Sequence, residues 1–274
     1  MNINQAILFG EGFLAKQGIE DPKWNSERLL LIVLSVNRAS LYTELQRDLA
    51  DSELQQYQAL LEKRAEHYPL AYLEGTQEFY GRTFHLDPSV LIPRPETEEI
   101  IRAALELPLR AAPRIIDLGA GSGCLAVTLL NEISNSRVVA LEYSSDAFNV
   151  LRKNAGGDVL LVRGNLYITP FLPESFDLVV SNPPYVEQGT ELPAETKWEP
   201  SLALVTESLQ NIYDNLLLQA LRILKPGGYV VAEFGFEQEG RIQRIIDTHP
   251  EFHLLQIRKD YRDLPRIFIL QKAF

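Results

Sequence analysis

The tetrapeptide Asn182-Pro183-Pro184-Tyr185 carries the residue types in this chain that are best suited to chemistry. Proline has no N–H group and fixes φ, so we expect the Pro183 carbonyl to face outward as a rigid acceptor. The side-chain oxygen of Asn182 is a second acceptor, and Tyr185 offers a flat face for stacking. Two acceptors beside a flat wall match an –NH2 group on an sp² carbon, whose nitrogen lone pair is then turned toward an electrophile. The alternative is a plain turn that ends a strand.

A glycine loop, Asp117-Leu118-Gly119-Ala120-Gly121-Ser122-Gly123, is the second candidate for chemistry. Its G-x-G-x-G spacing differs from the G-x-G-x-x-G spacing of dinucleotide-binding proteins, which disfavours an NAD-dependent oxidoreductase. Glu142 follows at about the 20-residue separation at which an acid accepts both ribose hydroxyls of a nucleoside. Loop and acid together predict a neutral or cationic ribonucleoside at the edge of a sheet.

These motifs lie in a pattern of alternating strands and helices, which predicts a mostly parallel sheet covered on both faces. The predicted strands are 114–118, 137–141, 159–162, 176–181, 229–233, 252–257 and 266–270. Residues 1–75 have apolar positions at helical spacings and predict a small helical domain that packs against or docks a partner. Residues 76–94 predict a β-hairpin linker, and residues 95–274 the sheet domain.

Composition excludes several classes of protein. The formal net charge is −11, with 37 acidic against 26 basic residues, and this disfavours a generic DNA binder that must neutralise phosphates. The single cysteine, Cys124, excludes an internal disulfide and a multi-cysteine zinc site, and its apolar surroundings favour a core residue over a nucleophile. No metal site is predicted. The N-terminus lacks the features of a signal peptide and no apolar run is long enough for a membrane span, so we expect a cytoplasmic protein.

The chain resembles the class I S-adenosylmethionine-dependent methyltransferases, and most closely the release-factor glutamine N5-methyltransferase family. The resemblance covers nearly the whole chain, including the glycine loop and Asn182-Pro183-Pro184-Tyr185. Further matching segments are Pro69 to Gly75, Gln77-Glu78-Phe79-Tyr80-Gly81, Leu91-Ile92-Pro93-Arg94-Pro95-Glu96-Thr97-Glu98, Trp198-Glu199-Pro200 and Leu224-Lys225-Pro226-Gly227-Gly228. Relatives that methylate a ribosomal-protein glutamine usually break the Pro-Arg-Pro-Glu-Thr run.

The resemblance implies an α/β fold with a Rossmann-like seven-stranded methyltransferase sheet, joined by the hairpin to the small N-terminal domain. It implies S-adenosyl-L-methionine as methyl donor, S-adenosyl-L-homocysteine as product, and the Gly-Gly-Gln glutamine of class 1 peptide-chain release factors as substrate. We expect a monomer without direct contact to nucleic acid.

The resemblance also assigns roles to individual residues. It implies catalysis by Asn182, Pro183 and Tyr185, and substrate binding by these three with Pro184 and Arg94. For Arg94, Thr97 and Glu98 a structural role, as a linker ion pair and helix cap, stays open. The residues implied for cofactor binding are Asp117, Gly119, Ala120, Gly121, Ser122, Gly123, Glu142, Asn165, Leu166 and Asn182.

Four departures from the family pattern stand out. Asn165 replaces the acid that usually contacts the adenine end, Leu166 stands where some members have an aromatic residue, and Asn25-Ser26-Glu27 replaces a common Asp-Ala-Glu. Val205-Thr206-Glu207-Ser208 replaces a glycine-bearing stretch. The main rival is an adenine-N6 methyltransferase acting on DNA or RNA, because the exocyclic amine of adenine presents the same geometry to the tetrapeptide. A non-catalytic scaffold is disfavoured by the intact tetrapeptide.

Overall fold

The computed structural model describes every residue from Met1 to Phe274. The chain forms two compact units, the first of residues 1–76 with 192–198 and the second of residues 77–191 with 199–274. None of the helices is both long and apolar enough to cross a bilayer. The helices are α1 Ile3–Lys16, α2 Pro22–Leu34, α3 Arg38–Thr43, α4 Asp51–Ala65, α5 Leu70–Glu74, α6 Glu98–Glu106, α7 Cys124–Glu132, α8 Ser145–Ala155, α9 Ser201–Leu204, α10 Leu209–Ile223 and α11 Glu239–Asp247.

The first unit is a helical bundle of α1 to α5 around a small apolar core. Its interior also contains polar contacts. The hydroxyl of Tyr57 donates to the Ala6 carbonyl at 3.0 Å and lies 2.6 Å from the Ser26 hydroxyl. Ser26 is fully buried, and the neighbouring Asn25 accepts a hydrogen bond from the buried guanidinium of Arg64 at 2.7 Å. The family departure at residues 25–27 therefore lies in the interior of this unit.

The segment Leu192–Trp198, distant in sequence, completes the first unit. Glu195 forms an ion pair with Arg64, and Trp198 packs edge-on against Tyr68. The indole N–H of Trp198 donates to the carbonyl of Glu66 at 3.3 Å. No sequence pattern indicates that this segment belongs to the first unit, and the domain bounds drawn from the sequence stay a prediction.

The second unit contains a seven-stranded sheet of order β10-β11-β9-β6-β3-β4-β5. The five strands from β9 to β5 in that order are parallel, and β11 runs antiparallel to β9 and β10. The strands of the chain are β1 Thr76–Phe79, β2 Arg82–His85, β3 Arg114–Leu118, β4 Arg137–Glu142, β5 Leu160–Arg163, β6 Phe176–Ser181, β7 Val186–Glu187, β8 Val205–Thr206, β9 Leu224–Glu233, β10 Phe252–Lys259 and β11 Pro265–Lys272.

Helices cover both faces of this sheet, as the alternating pattern predicted. The face with α6 and α7 and the face with α10 and α11 each bury a large apolar cluster. The central strand β6 is buried along its whole length, and apart from Asp177 and Ser181 near its ends its residues are apolar. The predicted fold class and seven strands are confirmed; β9 begins five residues earlier than the predicted 229, at Leu224. The hairpin of β1 and β2 is present, with Tyr80-Gly81 at the turn.

This topology determines where a ligand is bound. The chain order reverses beside β3, whose neighbours are β4 on one side and β6 on the other. At such a point the loops from the carboxyl ends of adjacent strands separate and leave a crevice. The glycine loop follows β3, Glu142 ends β4, and Asn182 follows β6. The three predicted motifs therefore meet at one edge of the sheet.

Candidate active site

The glycine loop is held by hydrogen bonds to its neighbouring strand. The N–H groups of Gly119 and Ala120 both donate to the Leu141 carbonyl at 2.9 Å. Gly119, Gly121 and Gly123 have φ of +79°, +54° and +84°, which side chains with a Cβ rarely adopt. A pyrophosphate needs such N–H groups to be free, so this loop is poorly suited to a dinucleotide.

Glu142 is fixed at the end of β4 by two backbone donors. Its Oε2 accepts from the N–H of Gly121 at 2.8 Å and its Oε1 from the N–H of Ser144 at 2.7 Å. Each carboxylate oxygen has two lone-pair sites, so both keep capacity for a further donor. Glu142 also lines the cleft, where its oxygens can accept from the two hydroxyls of a ribose.

Asp117 lies behind the loop and is only partly satisfied. It is 1% exposed; its Oδ2 accepts from the N–H of Ala126 at 3.2 Å, and its Oδ1 has no partner. Burial raises the pKa of Asp117 to about 7, and the nearby charge of Glu142 acts in the same direction. This carboxyl lies outside the cleft lining, so the acidic groups that a cation in the cleft can contact are those of the lining itself.

The cleft above these residues has a volume of about 460 Å³ and an acidic, otherwise neutral lining. Its only ionisable acids are Glu142 and Glu207, and no lysine, arginine or histidine lines it. Such a lining repels phosphate groups and attracts a cation. The predicted site residues that line the cleft are Gly119, Ala120, Gly121, Ser122, Glu142, Asn165, Leu166, Asn182, Pro183 and Pro184.

Asn182 and Pro183 both line this cleft, and each has an oxygen without a partner in the chain. The Nδ2 of Asn182 donates to the hydroxyl of Thr97 at 3.2 Å, so its Oδ1 is the atom left for a ligand. Neither this Oδ1 nor the carbonyl oxygen of Pro183 accepts a hydrogen bond within the chain. The β6 strand end is itself fixed, since the hydroxyl of Ser181 donates to the Leu118 carbonyl at 2.6 Å. Two fixed acceptors can therefore hold the two hydrogens of one –NH2 group.

Glu233, at the end of β9, is a site residue that sequence reasoning missed. It is 1% exposed, and it accepts from the hydroxyl of Thr97 at 2.7 Å and from the hydroxyl of Tyr185 at 3.0 Å. Burial raises the pKa of Glu233, while the two hydroxyl bonds and the nearby guanidinium of Arg266 oppose the rise. Its sequence signal is the one used for Glu142: an acid that closes an apolar strand at the carboxyl edge of the sheet.

Four predicted residues lie outside the cleft lining. The ring of Tyr185 packs against the apolar cluster beneath the sheet, and burial with the charge of Glu233 raises its pKa. Arg94 forms an ion pair with Glu199, whose other oxygen accepts from the Ile92 N–H at 3.1 Å. Asp117 and Gly123 also lie outside the lining, behind the loop and at the start of α7.

Thr97 and Glu98, the other two candidates in the segment that follows Arg94, have different roles in the structure. Thr97 does line the cleft, and its hydroxyl does not cap α6, because it donates to Glu233 instead. Glu98 accepts from the Tyr80 N–H of the hairpin at 2.9 Å and pairs with Arg102. Thr97 therefore contributes to the site, whereas Glu98 holds the hairpin against α6.

Asn165 and Leu166 border the far end of the cleft, after β5. The Oδ1 of Asn165 accepts from the N–H of Tyr167 at 2.9 Å, which leaves its Nδ2 as a donor at the cleft. An aspartate here would present an acceptor instead. The thiol of Cys124 is buried, and burial raises its pKa to about 12, so it stays protonated and is no nucleophile at neutral pH.

Two family models match the chain. Residues 5–75 match the PrmC N-terminal domain, and residues 102–199 match the methyltransferase small domain. Among curated proteins, the release factor glutamine methyltransferase of Geobacter sulfurreducens is 37% identical over 86% of this chain and 85% of that protein. Those of Chlorobaculum tepidum and Koribacter versatilis are each 34% identical, over 93% and 99% of this chain and 92% and 99% of theirs.

Solved structures share the fold at lower identity. A methyltransferase from Pyrococcus furiosus superposes with a TM-score of 0.55 at 20% identity, over 80% of this chain and 98% of that one. The ribosomal protein L11 methylase from Lactobacillus delbrueckii subsp. bulgaricus gives a TM-score of 0.51 at 18% identity, over 72% and 90%. At these identities the likeness concerns the methyltransferase fold alone.

Proposed function

The chain belongs to the release factor glutamine methyltransferase family and is an S-adenosylmethionine-dependent methyltransferase, and on that premise we propose its substrate. We propose that it methylates the side-chain amide nitrogen, N5, of a protein glutamine. The substrate proposed is the Gly-Gly-Gln glutamine of class 1 peptide-chain release factors. A monomeric state and a cytoplasmic location stay predictions.

One observation carries the proposal: Asn182 and Pro183, whose acceptor oxygens are unpaired, line a cleft whose lining has no basic side chain. The oxygens suit an –NH2 donor, and the lining suits a substrate without phosphates. A glutamine side chain in a flexible loop meets both conditions. Nucleic acid would meet only the first, because an extruded adenine is still attached to its phosphates.

The residues of the chain then have distinct tasks. S-adenosylmethionine would supply an electrophilic methyl group when bound, and Glu142 would hold it by accepting from its ribose hydroxyls. The oxygens of Asn182 and Pro183 hold both N–H groups of the glutamine amide, which aligns its nitrogen and favours localisation of the lone pair. As the C–N bond forms and the C–S bond breaks, positive charge grows on the nitrogen, and the same oxygens oppose it.

No strong general base is required after this step. The methylated nitrogen is far more acidic than an ordinary amide and releases its extra proton to solvent. This agrees with the absence of histidine and lysine from the cleft lining and with a Cys124 thiol that stays protonated. Catalysis then depends on position and electrostatics.

The test is to incubate the protein with isotope-labelled S-adenosylmethionine and recombinant class 1 release factor, and to locate the label by mass spectrometry. We expect one methyl group on the Gly-Gly-Gln glutamine and none when that glutamine is changed to alanine. A parallel reaction contains an adenine-bearing oligonucleotide instead. Label on another residue, or on the oligonucleotide, would refute the proposed substrate.

A further inference from the structure

The buried acid Glu233 connects two sides of the acceptor site. Its carboxylate binds the hydroxyl of Thr97 through Oε2 and that of Tyr185 through Oε1. Thr97 comes from the segment before α6 and Tyr185 from the loop after β6, so the partners are 136 and 48 residues away in sequence. A single side chain thus holds two loops that border the cleft.

The direction of the Thr97 hydrogen bond decides how Asn182 is oriented. A hydroxyl has one proton, and the Oε2 of Glu233 accepts that of Thr97 at 2.7 Å. Thr97 therefore gives its proton to Glu233 and is left with lone pairs, which accept from the Nδ2 of Asn182 at 3.2 Å. Since nitrogen and oxygen lie on opposite branches of the amide, Oδ1 is the branch left for the ligand.

Without an acceptor at position 233, the orientation of the Asn182 amide is no longer determined. The Thr97 hydroxyl can then either donate to Oδ1 or accept from Nδ2, so Asn182 forms a hydrogen bond in both orientations. In the flipped orientation the Nδ2 of Asn182 lies on the ligand side, where it meets the substrate –NH2 donor to donor. Such a site binds the cofactor normally but holds the amide nitrogen poorly.

The Tyr185 bond acts on the other end of the tetrapeptide. Its hydroxyl is anchored by Glu233, and its backbone carbonyl accepts from the Nε2 of Gln238 at 2.8 Å. The same Gln238 side chain accepts from the N–H of Gly235 at 3.0 Å. The loop that carries the Pro183 carbonyl is therefore pinned to the segment that follows β9.

We propose that Glu233 is a positioning residue, which acts through Thr97 to turn the Asn182 oxygen toward the substrate amide. This inference rests on the proposed function and deepens it. Glu233 touches neither substrate nor cofactor in this scheme, because it lies beneath the residues that line the cleft.

The test compares matched substitutions at Thr97. Thr97→Val keeps the shape and removes the hydroxyl, whereas Thr97→Ser keeps the hydroxyl and removes a methyl group. We expect Thr97→Val to lower kcat roughly tenfold to a hundredfold, as a small misplacement of a reacting group does. Thr97→Ser should stay within about threefold of the wild type, and the Kd for S-adenosylmethionine should change little in both.

Glu233→Gln provides the second arm, because a glutamine offers one acceptor oxygen to two hydroxyl donors. It should lower kcat by a similar factor, and the double variant with Thr97→Val should be no worse than the worse single variant. Asp177→Asn, at the opposite end of the sheet, is the control for loss of a buried charge. It should lower the unfolding temperature and leave kcat per folded molecule unchanged.

A readout without turnover separates this inference from the proposed substrate. In the wild type the Asn182 side-chain NH2 is hydrogen-bonded, so its protons should exchange more slowly by NMR than in Thr97→Val or Glu233→Gln. If the protein did not methylate release factor but the exchange rates still differed, the proposed substrate would be refuted and the role of Glu233 would stand. Equal exchange rates, kcat losses that multiply in the double variant, or losses that follow only the unfolding temperature would overturn the role of Glu233.

Discussion

Each end of the parallel strands contains a buried aspartate, and the two aspartates differ in the number of hydrogen-bond and ion-pair partners. At the amino-terminal end, Asp177 accepts from the Arg114 N–H at 2.9 Å and from Lys225 at 2.7 and 2.9 Å, with Arg110 beside it. At the carboxyl-terminal end, Asp117 has one backbone donor at 3.2 Å and an oxygen with no partner. The charge of Asp177 is neutralised by its basic partners, whereas Asp117 keeps an unpaired acceptor.

The difference indicates which end of the sheet contributes to stability and which to binding. A buried charge that is paired and hydrogen-bonded is compatible with a stable fold, and an unsatisfied one costs free energy. The carboxyl end also carries the positive-φ glycines, the unpaired oxygens of Asn182 and Pro183, and the raised pKa of Glu233. Stability is given up there for a site that a cation and an –NH2 group can complete.

The largest effect is expected from Asn182→Ala, which removes one acceptor from the binding end. Loss of a preorganised partner for developing charge costs about 3 kcal/mol, or on the order of a hundredfold in kcat. The Kd for S-adenosylmethionine should change much less. Single-turnover kinetics with calorimetry measure both quantities, and unchanged turnover would remove Asn182 from the mechanism.

Asp177→Ala should lower stability and leave kcat unchanged. Removing one partner of a buried pair leaves a lysine and a backbone N–H without their acceptor, and about 2 kcal/mol of unfolding free energy should be lost, since Lys225 is partly exposed. Urea unfolding gives that value. The kcat per folded molecule should be that of the wild type, and a large loss of kcat would mean that the two ends are not separable.

Because the pKa of Asp117 is raised in the folded chain, its contribution to stability should be present at low pH and should be lost as the pH rises. The folded chain keeps its proton up to about pH 7, while the unfolded chain loses it near pH 4. Wild-type stability should therefore fall, relative to Asp117→Asn, as the pH rises from 5 to 8, by on the order of 2–3 kcal/mol. Urea unfolding of both proteins at these two pH values checks this; an equal difference at both would contradict it.

The smallest effect is expected at the ribose site. Glu142→Gln replaces one acceptor oxygen by a donor and should raise the Kd for S-adenosylmethionine about tenfold, which corresponds to about 1.4 kcal/mol. Glu207→Gln is the matched control, because it removes the other acid of the lining without touching the loop. If calorimetry gave equal losses for both, net charge and not hydrogen bonding would be what Glu142 contributes.

The sequence predicted the sheet and most of the cleft. The seven strands follow from short apolar runs, and the motifs after β3, β4 and β6 lie together because parallel strands bring their carboxyl ends to one edge. The Asn182 and Pro183 acceptors were predicted from local sequence, and Glu142 from its spacing after the glycine loop. The orientation of Tyr185 did not follow, because a tyrosine is equally suited to a cleft wall and to an apolar core.

Local pattern alone therefore determined the strands, the glycine loop and the pair of oxygens at the end of β6. Only the tertiary structure decided that Glu233 lies beneath them, that Thr97 gives its proton to this acid, and that Leu192–Trp198 belongs with the N-terminal helices. Backbone conformation and apolar periodicity depend on residues a few positions apart, so both can be predicted from the sequence. Hydrogen bonds between residues 136 positions apart depend on packing, which places side chains that no spacing relates.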